Sequence, residues 1–521
     1  MSDDREIGDR HLQPANGLSD TLESDAQFVR IVVADDWGGS SAGQLLVTCL
    51  VNLLCRQVGL VSHLEVVANP TAGAVRLPNG QEAGAFPNCL ETLVRWAVGD
   101  KVSISTSETH QQADHLILIG SSATSKPLFA RRQVITVVAD GWCAWVGEPK
   151  NAPRYTSPKS RCPIGPFLGA ALAAGEVFKR TRGITRGKFL SSAGYSLWSG
   201  NSQEDWSMLE QGPEVSGLRL DPIHVFGLGA VGNGLAYLMQ NMELDHGYFV
   251  LVDDDSFDST NLNRCFLAGA ENVTQRKVDV VSSALRAYEI ETYPFHGTVR
   301  EYVSDSRQDL RSDVADQVDN SVFEVVASCV DKGTSRQDIQ ALQPRLLMGG
   351  STLDLSARTN WYSFRPGAAC LACFNPKERD GEKIRSLEAQ LRLMANEEWR
   401  RFLAEQGLNV EAIEEFLANP QCGSIGEAAL NDFATRAPAQ FSVGFVSLAA
   451  ALLLGAALLK HTVLKSPFHY SEISVLNFLN GGRADGNLGS DDKCEWKCRE
   501  RLRRRAMRSA NYSRTDLARP T

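Results

Sequence analysis

The sequence predicts an α/β fold in which one unit, a mostly parallel sheet with packed helices, occurs twice in tandem. Three observations carry this expectation. In residues 222–281 an apolar run at His224–Phe226 leads into Gly227-Leu-Gly229-Ala-Val-Gly232. A helical apolar pattern then covers Val231–Met242, and a second apolar run, Tyr248–Val252, ends on Asp253. A weaker copy of this order lies upstream, with FVRIVVADD from Phe28, Trp37-Gly38-Gly39-Ser-Ser-Ala-Gly43, an apolar helix over Gln44–Gln57 and a strand over Ser62–Ala68. Finally, two small-residue helices begin at Gly165 and Gly444. Each ends on a lysine and is followed by a Tyr-Ser pair, at Tyr195 and Tyr470. Self-similarity of this kind marks an internal repeat, with chance likeness of two apolar helices as the alternative.

Taken in order, residues 1–27 are polar and acidic and are expected to be disordered. Residues 28–200 form the first unit, with further strands at His115–Ile119 and Gln133–Val138, and its glycines are out of place for a phosphate turn. Residues 201–220 read as a linker and 221–500 as the second unit. There the order strand, glycine turn, helix, strand, acid suits a nucleotide. Glycines allow a tight turn and close approach of backbone N–H groups to phosphate, the helix N-terminus favours negative charge, and an acid can bind ribose hydroxyls. Asp255, Asn261, Arg264 and Lys277 follow in quick succession, a density better suited to a triphosphate than to a dinucleotide. Val322–Ser328 reads as a buried strand leading to Asp331, at the strand end where α/β sheets bind ligands, although an acid there can also cap the next helix. Leu346–Ser351 and Thr359–Phe364 read as the next strands.

The run Asp253-Asp-Asp255…Asn261-Leu-Asn263-Arg264…Lys277 closely resembles the adenylation domain of ubiquitin-activating enzymes and of the bacterial relatives that activate sulfur-carrier proteins, the ThiF type. The resemblance is firm over the second half and an echo over the first. It implies two tandem Rossmann-like adenylation domains, the first inactive and the second active. In the second, Gly227, Gly229 and Gly232 would cradle phosphate, Asp253 would bind ribose, and Asp255, Asn261, Arg264 and Lys277 would hold ATP. Asp331 would position Mg²⁺, with Lys332 standing where the family usually has Asn.

The cysteines add two further expectations. Cys370-Leu-Ala-Cys373 and Cys494-Glu-Trp-Lys-Cys498 can close a tetrahedral thiolate cage for a structural Zn²⁺, and the resembled family places a pair at each position; free structural thiols are the alternative. Cys422, flanked by turn residues, has no partner at metal spacing. It lies in what the resemblance implies is a small helical insert and crossover loop, residues 374–440, and would attack the acyl-adenylate to give a thioester. Cys265, which stands where the family has Gln, is the weaker candidate because it falls within the ATP cluster.

A net charge of −9 argues against a dedicated nucleic-acid binder, although residues 501–521 form a basic tail. Twelve cysteines spread through 521 residues do not resemble a secreted disulfide framework, and no apolar signal core begins the chain, so a cytoplasmic location is expected. Phe441–Leu459 is uncharged and long enough to span a bilayer, but its Ala, Gly and Ser content suits a helix covered on all sides, so no membrane is expected. The reading is ATP-dependent activation of a ubiquitin-like protein, with a conjugating-enzyme partner as acceptor, most similar to the activating enzymes of bacterial (Bil-type) antiphage operons. Two alternatives stay open: an enzyme of the same fold that stops at the adenylate, acting on a sulfur carrier, a peptide or a tRNA base, and a non-catalytic scaffold.

Overall fold

The computed structural model describes residues 7–501 apart from 9, 16, 20–25, 73–74, 121–129, 156, 307–323, 343, 363–366, 375–390, 392–395, 406–407, 420–425, 427–440, 465–471 and 495. The chain divides into a large unit, residues 1–374 with 441–521, and a small one, residues 375–440.

The large unit holds the repeat. Its strands are β1 (Gln27–Val33), β2 (Val61–Val67), a small hairpin of β3 (Val75–Arg76) and β4 (Glu82–Ala83), β5 (Ser103–Ser105), β6 (Ala113–Ile119), β7 (Ala130–Asp140), β8 (Cys143–Gly147), β9 (Ser192–Ser196) and β10 (Ser202–Gln203), then β11 (Ile223–Phe226), β12 (Tyr248–Asp253), β13 (Glu291–His296), β14 (Val325–Ser328), β15 (Leu346–Leu353), β16 (Ser356–Tyr362), β17 (Glu472–Asn477) and β18 (Gly482–Asn487). The first sheet runs β10-β9-β8-β7-β6-β1-β2-β5 and the second β18-β17-β16-β15-β14-β11-β12-β13, so strand matches strand. In each, five strands are parallel and the last three antiparallel. The central strands β11 and β12 are buried along their whole length, as expected of parallel strands covered on both faces. Their apolar runs are therefore unbroken rather than alternating.

The helices of this unit are α1 (Asp35–Gly38), α2 (Ser41–Cys55), α3 (Cys89–Val98), α4 (Ile164–Thr181), α5 (Ala230–Gln240), α6 (Lys277–Arg286), α7 (Val299–Ser306) and α8 (Gly333–Leu342). The small unit contributes α9 (Asn396–Glu405) and α10 (Val410–Ala418), and the large unit ends on α11 (Gly444–Leu464). Helices α2, α4, α5 and α11 share one layer, in which α4 packs on α2 and α11, and α11 on α5. Aromatic rings bridge the halves there: Phe167 stacks on Tyr237 at 4.8 Å, and Phe178 meets Phe445 at 5.3 Å. The apolar stretch of α11 is 89% buried over Gly444–His461, as a core helix should be. In the small unit Trp399, Leu403, Ile413 and Phe416 pack with Leu391 into a separate core.

Two expectations need correction. The segment ahead of residue 27 is packed where it is described. Ile7, His11, Ala15 and Leu18 are buried, and the Arg182 guanidinium donates to the carbonyls of His11 and Gln13 at 2.9 and 3.3 Å. Its polar composition hides these anchors, because the bonds run from a distant side chain to its backbone. The 201–220 stretch is likewise not a free linker. It supplies the edge strand β10, and Trp206 packs against Tyr155 at 5.2 Å.

The first copy departs from the second at the turn after its first strand. Trp37 is fully buried and its ring lies on Gly120, where an added Cβ would come within 2.4 Å of it. Ser40 Oγ accepts from Gly43 N at 3.0 Å, so a side chain of this copy already caps α2. The strand β2 ends in Val67-Ala68-Asn69, with no acid. The turn of the first copy thus carries a buried ring and a side-chain cap where the second copy has an uncapped glycine turn. Trp37→Ala should cost about 3–5 kcal/mol of stability, since the surrounding core relaxes only partly around such a cavity. Chemical denaturation would measure it, and a loss below about 1 kcal/mol would show that the ring is not part of the core.

Candidate active site

The glycine turn joins β11 to α5 at the C-terminal edge of the second sheet. Gly227 takes a positive φ of 89°, and a Cβ there would meet the Cys329 backbone at 2.8 Å, so residue type is dictated by both conformation and space. At Gly232 a Cβ would lie 2.0 Å from the Gly227 carbonyl oxygen, whereas at Gly229, the N-cap of α5, it would meet nothing within 4 Å. The side of the turn at Gly229 is open, and no side chain caps α5. Its first N–H groups are available to an anion, unlike those of α2.

Asp253 ends β12 and is buried beside this turn. One carboxylate oxygen accepts from Leu228 N, and the other accepts from Asp255 N at 2.9 Å. Burial pushes the Asp253 carboxyl above the ordinary range, against the opposing pull of Lys277 and the two N–H groups. Lys277 opens α6 and is itself buried. Its Nζ donates to Asp255 Oδ2 at 2.7 Å and stands 4.0 Å from Asp253. Burial opposes the ammonium charge, but the two carboxylates outweigh it and hold Lys277 above its usual range. Asp255 is driven the other way: burial acts upward, and the Lys277 hydrogen bond and charge, with Lys332 and His296 behind them, carry it below its usual range. The half-exposed Asp255 is therefore a carboxylate at neutral pH.

Asn261 and Arg264 lie on the tight turn after Ser259–Asn261, closed by Arg264 N and Cys265 N donating to the Asn261 carbonyl, both at 3.0 Å. Arg264 Nη1 donates to the Thr260 carbonyl at 2.5 Å and to Asn263 Oδ1 at 2.7 Å. Burial depresses its pKa, while Asp258 and Asp331 support the charge. Asp331 is exposed just beyond the end of β14, next to β11 in the sheet. The Cys265 thiol is buried. Burial raises its pKa and the charges of Arg264, Lys277 and Arg56 lower it, with a net rise, so it is held as a thiol. The same sulfur thus feels the charges of Arg264, Lys277 and Asp253.

Sequence reasoning missed what reaches this place from the first half. Arg10 lies near enough to Arg264 for its charge to depress it further. The segment is fixed by His11, whose imidazole is pushed down to about 4 by burial. The neutral ring donates from Nε2 to the Val58 carbonyl at 2.9 Å and accepts at Nδ1 from Asn263 Nδ2 at 3.3 Å. Arg56, at the end of α2, contacts the carbonyls of Leu262, Phe266 and Ala268. These residues lie about two hundred positions or more from their partners in the second half, and no local spacing announces them.

The four cysteines of the two pairs come together: Cys370–Cys373, Cys370–Cys494 and Cys373–Cys498 Sγ separations are 3.8, 3.6 and 3.5 Å, and all four sulfurs lie within 4.8 Å of one another. These distances far exceed a disulfide bond and match the ~3.8 Å edges of a tetrahedron with Zn–S bonds of about 2.3 Å. Backbone N–H groups of Cys370 and Asp491 point at the Cys373 sulfur at 3.4 and 3.5 Å, which favours a thiolate. Three intervening residues in the second pair therefore do not prevent convergence. Cys422 lies outside the described residues, as does Tyr470.

The model of the ThiF family matches residues 213–481, and that of the BilD N-terminal domain matches residues 28–197. An uncharacterized protein, y4jF, of Sinorhizobium fredii is 22% identical over 466 residues, covering 84% of this chain and 82% of that one. The bacterial E1-like protein BilD of a Collimonas species is 26% identical over 262 residues, 49% of this chain and 52% of its own. The adenylyltransferase and sulfurtransferase UBA4 of Scheffersomyces stipitis is 26% identical over 178 residues, or 34% of this chain and 38% of that protein. The chain thus spans about half of BilD and less of UBA4. The crystal structure of E. coli MccB with ATP aligns over 54% of this chain and 67% of that one, at 15% identity and a TM-score of 0.36, too low to compare the two site by site.

The glycine geometry yields a paired prediction. Gly232→Ala should cost about 1–3 kcal/mol by overpacking the turn. Gly229→Ala meets no steric contact and should cost less, about 0.5–1 kcal/mol, for the loss of a favoured N-cap residue. Denaturation of both variants checks this, and equal losses would mean that the turn is not as tight as described.

Proposed function

Because the chain belongs to the ThiF family, whose match spans just over half of it, we propose that it adenylates the C-terminal carboxylate of a ubiquitin-like protein and passes the acyl group to Cys422 as a thioester. The observation that carries this reading is an uncapped glycine turn whose Leu228 N donates to Asp253, with Lys277 beside Asp253 and Asp255, while the first turn of the other half holds a buried ring and a side-chain cap.

In this reading Gly227, Gly229 and Gly232 cradle phosphate and Asp253 meets the ribose. Asn261, Arg264 and Lys277 neutralise the triphosphate, with Asp255 orienting Lys277 and Asp331 serving Mg²⁺. The carboxylate oxygen attacks the α-phosphorus and the bond to pyrophosphate breaks, giving acyl-AMP. Negative charge builds on phosphate oxygens during this step, and buried cations offset it at no cost of reorganisation. The Cys422 thiolate then attacks the acyl carbon and AMP leaves with the bonding pair. A conjugating enzyme receives the acyl group by a further thioester exchange. Cys370, Cys373, Cys494 and Cys498 suit a structural Zn²⁺ with no open position, so the metal would hold the fold and take no part in the chemistry. The match of residues 28–197 to the BilD N-terminal domain supports the Bil-type assignment over the adenylate-only one.

Intact mass after incubation with Mg-ATP and lysate of its own source is the deciding experiment. A reductant-sensitive adduct of small-protein size, absent from Cys422→Ala, is expected. Pyrophosphate release without an adduct would move the assignment to an adenylate-only enzyme, and neither signal with the carrier present would favour a scaffold. Arg264→Ala and Asp331→Ala should each cut pyrophosphate exchange by about a hundredfold or more, the scale at which a single charge-stabilising group acts. Elemental analysis should find one zinc per chain, lost together with thermal stability in the double variant Cys370→Ser, Cys373→Ser. Full stability without metal would sink the zinc assignment.

A further inference from the structure

Arg56 belongs to the first copy, is fully buried, and is held mainly by carbonyls of the second. Nη1 donates to Leu262 O at 2.6 Å, and Nη2 to Ala268 O at 2.9 Å and Phe266 O at 3.4 Å. Nε donates to Asn52 Oδ1 at 2.7 Å, and Asn52 Nδ2 reaches Phe266 O at 3.5 Å, so one turn of α2 presents a preset fork. The Trp96 ring lies 5.7 Å from the guanidinium. From the opposite side Asn233 Oδ1, on α5, accepts from Leu267 N at 3.0 Å. Residues 262–268 are therefore gripped from both halves, and Arg264 sits inside the grip.

Packing alone does not call for a cation here. Burying a guanidinium costs free energy, and an apolar side chain of similar volume is often neutral or better for stability. What an apolar side chain lacks is a planar fork of five donors that can fix several carbonyls at once, which a lysine also cannot match. We infer that Arg56 is a positioning residue for nucleotide binding: it acts through residues 262–268 to hold Asn261 and Arg264 toward the glycine turn. The inactive half thereby sets the nucleotide affinity of the active half. This rests on the ATP site assigned under Proposed function.

The test is Mg-ATP binding to the full chain by calorimetry, which needs no acyl substrate. Arg56→Lys keeps the charge but not the fork, and Arg56→Met keeps neither. The comparison variant is Lys179→Met, in the same half. Lys179 is equally buried, pairs with Glu176 and donates to the Lys188 and Phe478 carbonyls, both at 3.0 Å; among the described residues no hydrogen bond or ion pair joins it to residues 261–268. Arg56→Lys should weaken Mg-ATP binding by about tenfold or more, since a displacement of order 1 Å at a site is costly. Lys179→Met should bind within about twofold of wild type. Amide exchange should quicken in Arg56→Lys over residues 261–268 and not elsewhere. Wild-type affinity in Arg56→Lys, or an equal loss in Lys179→Met, would overturn the inference. Should Arg56→Met fail to fold, Arg56→Lys decides. If the wild type itself binds no Mg-ATP, it is the ATP assignment that falls.

Discussion

A helix that is buried on every side needs neighbours on every side, and α4 and α11 are two such helices. In α4 every residue except Arg180 is buried, and α11 is nearly as enclosed. A sheet can cover only one face of such a helix. The other faces of α4 and α11 meet each other and the neighbouring helices α2 and α5, so each half supplies the wall that the other lacks. Glycine permits the closest approach: a Cβ at Gly175 would fall 2.8 Å from the Phe478 ring, and one at Gly455 would fall 2.5 Å from Leu238. Fusion follows from this packing. Neither half can be shed without exposing the core of the other.

The same packing brings polar groups of the first half against the site. His11, Arg56 and Arg182 are buried polar groups whose partners are mainly backbone carbonyls, which accept without carrying charge. Such bonds fix the course of the chain more than they stabilise it, because desolvation of the cation offsets much of the gain. Near the glycine turn of the second half the balance differs. There Lys277 faces two carboxylates and keeps its charge despite burial.

Much of this was legible in the sequence. Strand order, the glycine turn and the acid ending β12 are local patterns, and the tandem repeat showed in two small-residue helices that turned out to be the core of the interface. The four cysteines lay in two pairs that the family resemblance brought to one site, and their sulfurs do come together. What escaped was non-local. The stretch with the buried Ile7, His11, Ala15 and Leu18 looks like a solvated tail because its anchors are distant, Arg182 among them at more than 160 positions, and Arg56 resembles any basic residue at a helix end. The glycines around Trp37 were visibly misplaced for a phosphate, yet nothing in the sequence said that the indole would occupy the gap. Cys422 and the loop around it lie outside the described residues, so the thioester step rests on sequence alone.

The buried Trp37 also has a bearing on how nucleotide occupancy scales with concentration. On the proposed reading, with a ring at one turn and the other turn open, a single chain would offer one saturable nucleotide position. Occupancy within the chain would then rise hyperbolically, and the first half would set the affinity without adding to the stoichiometry. Two equal halves would share any gain or loss between two filled positions. An unequal pair is free to change its silent member as a dial on the working one.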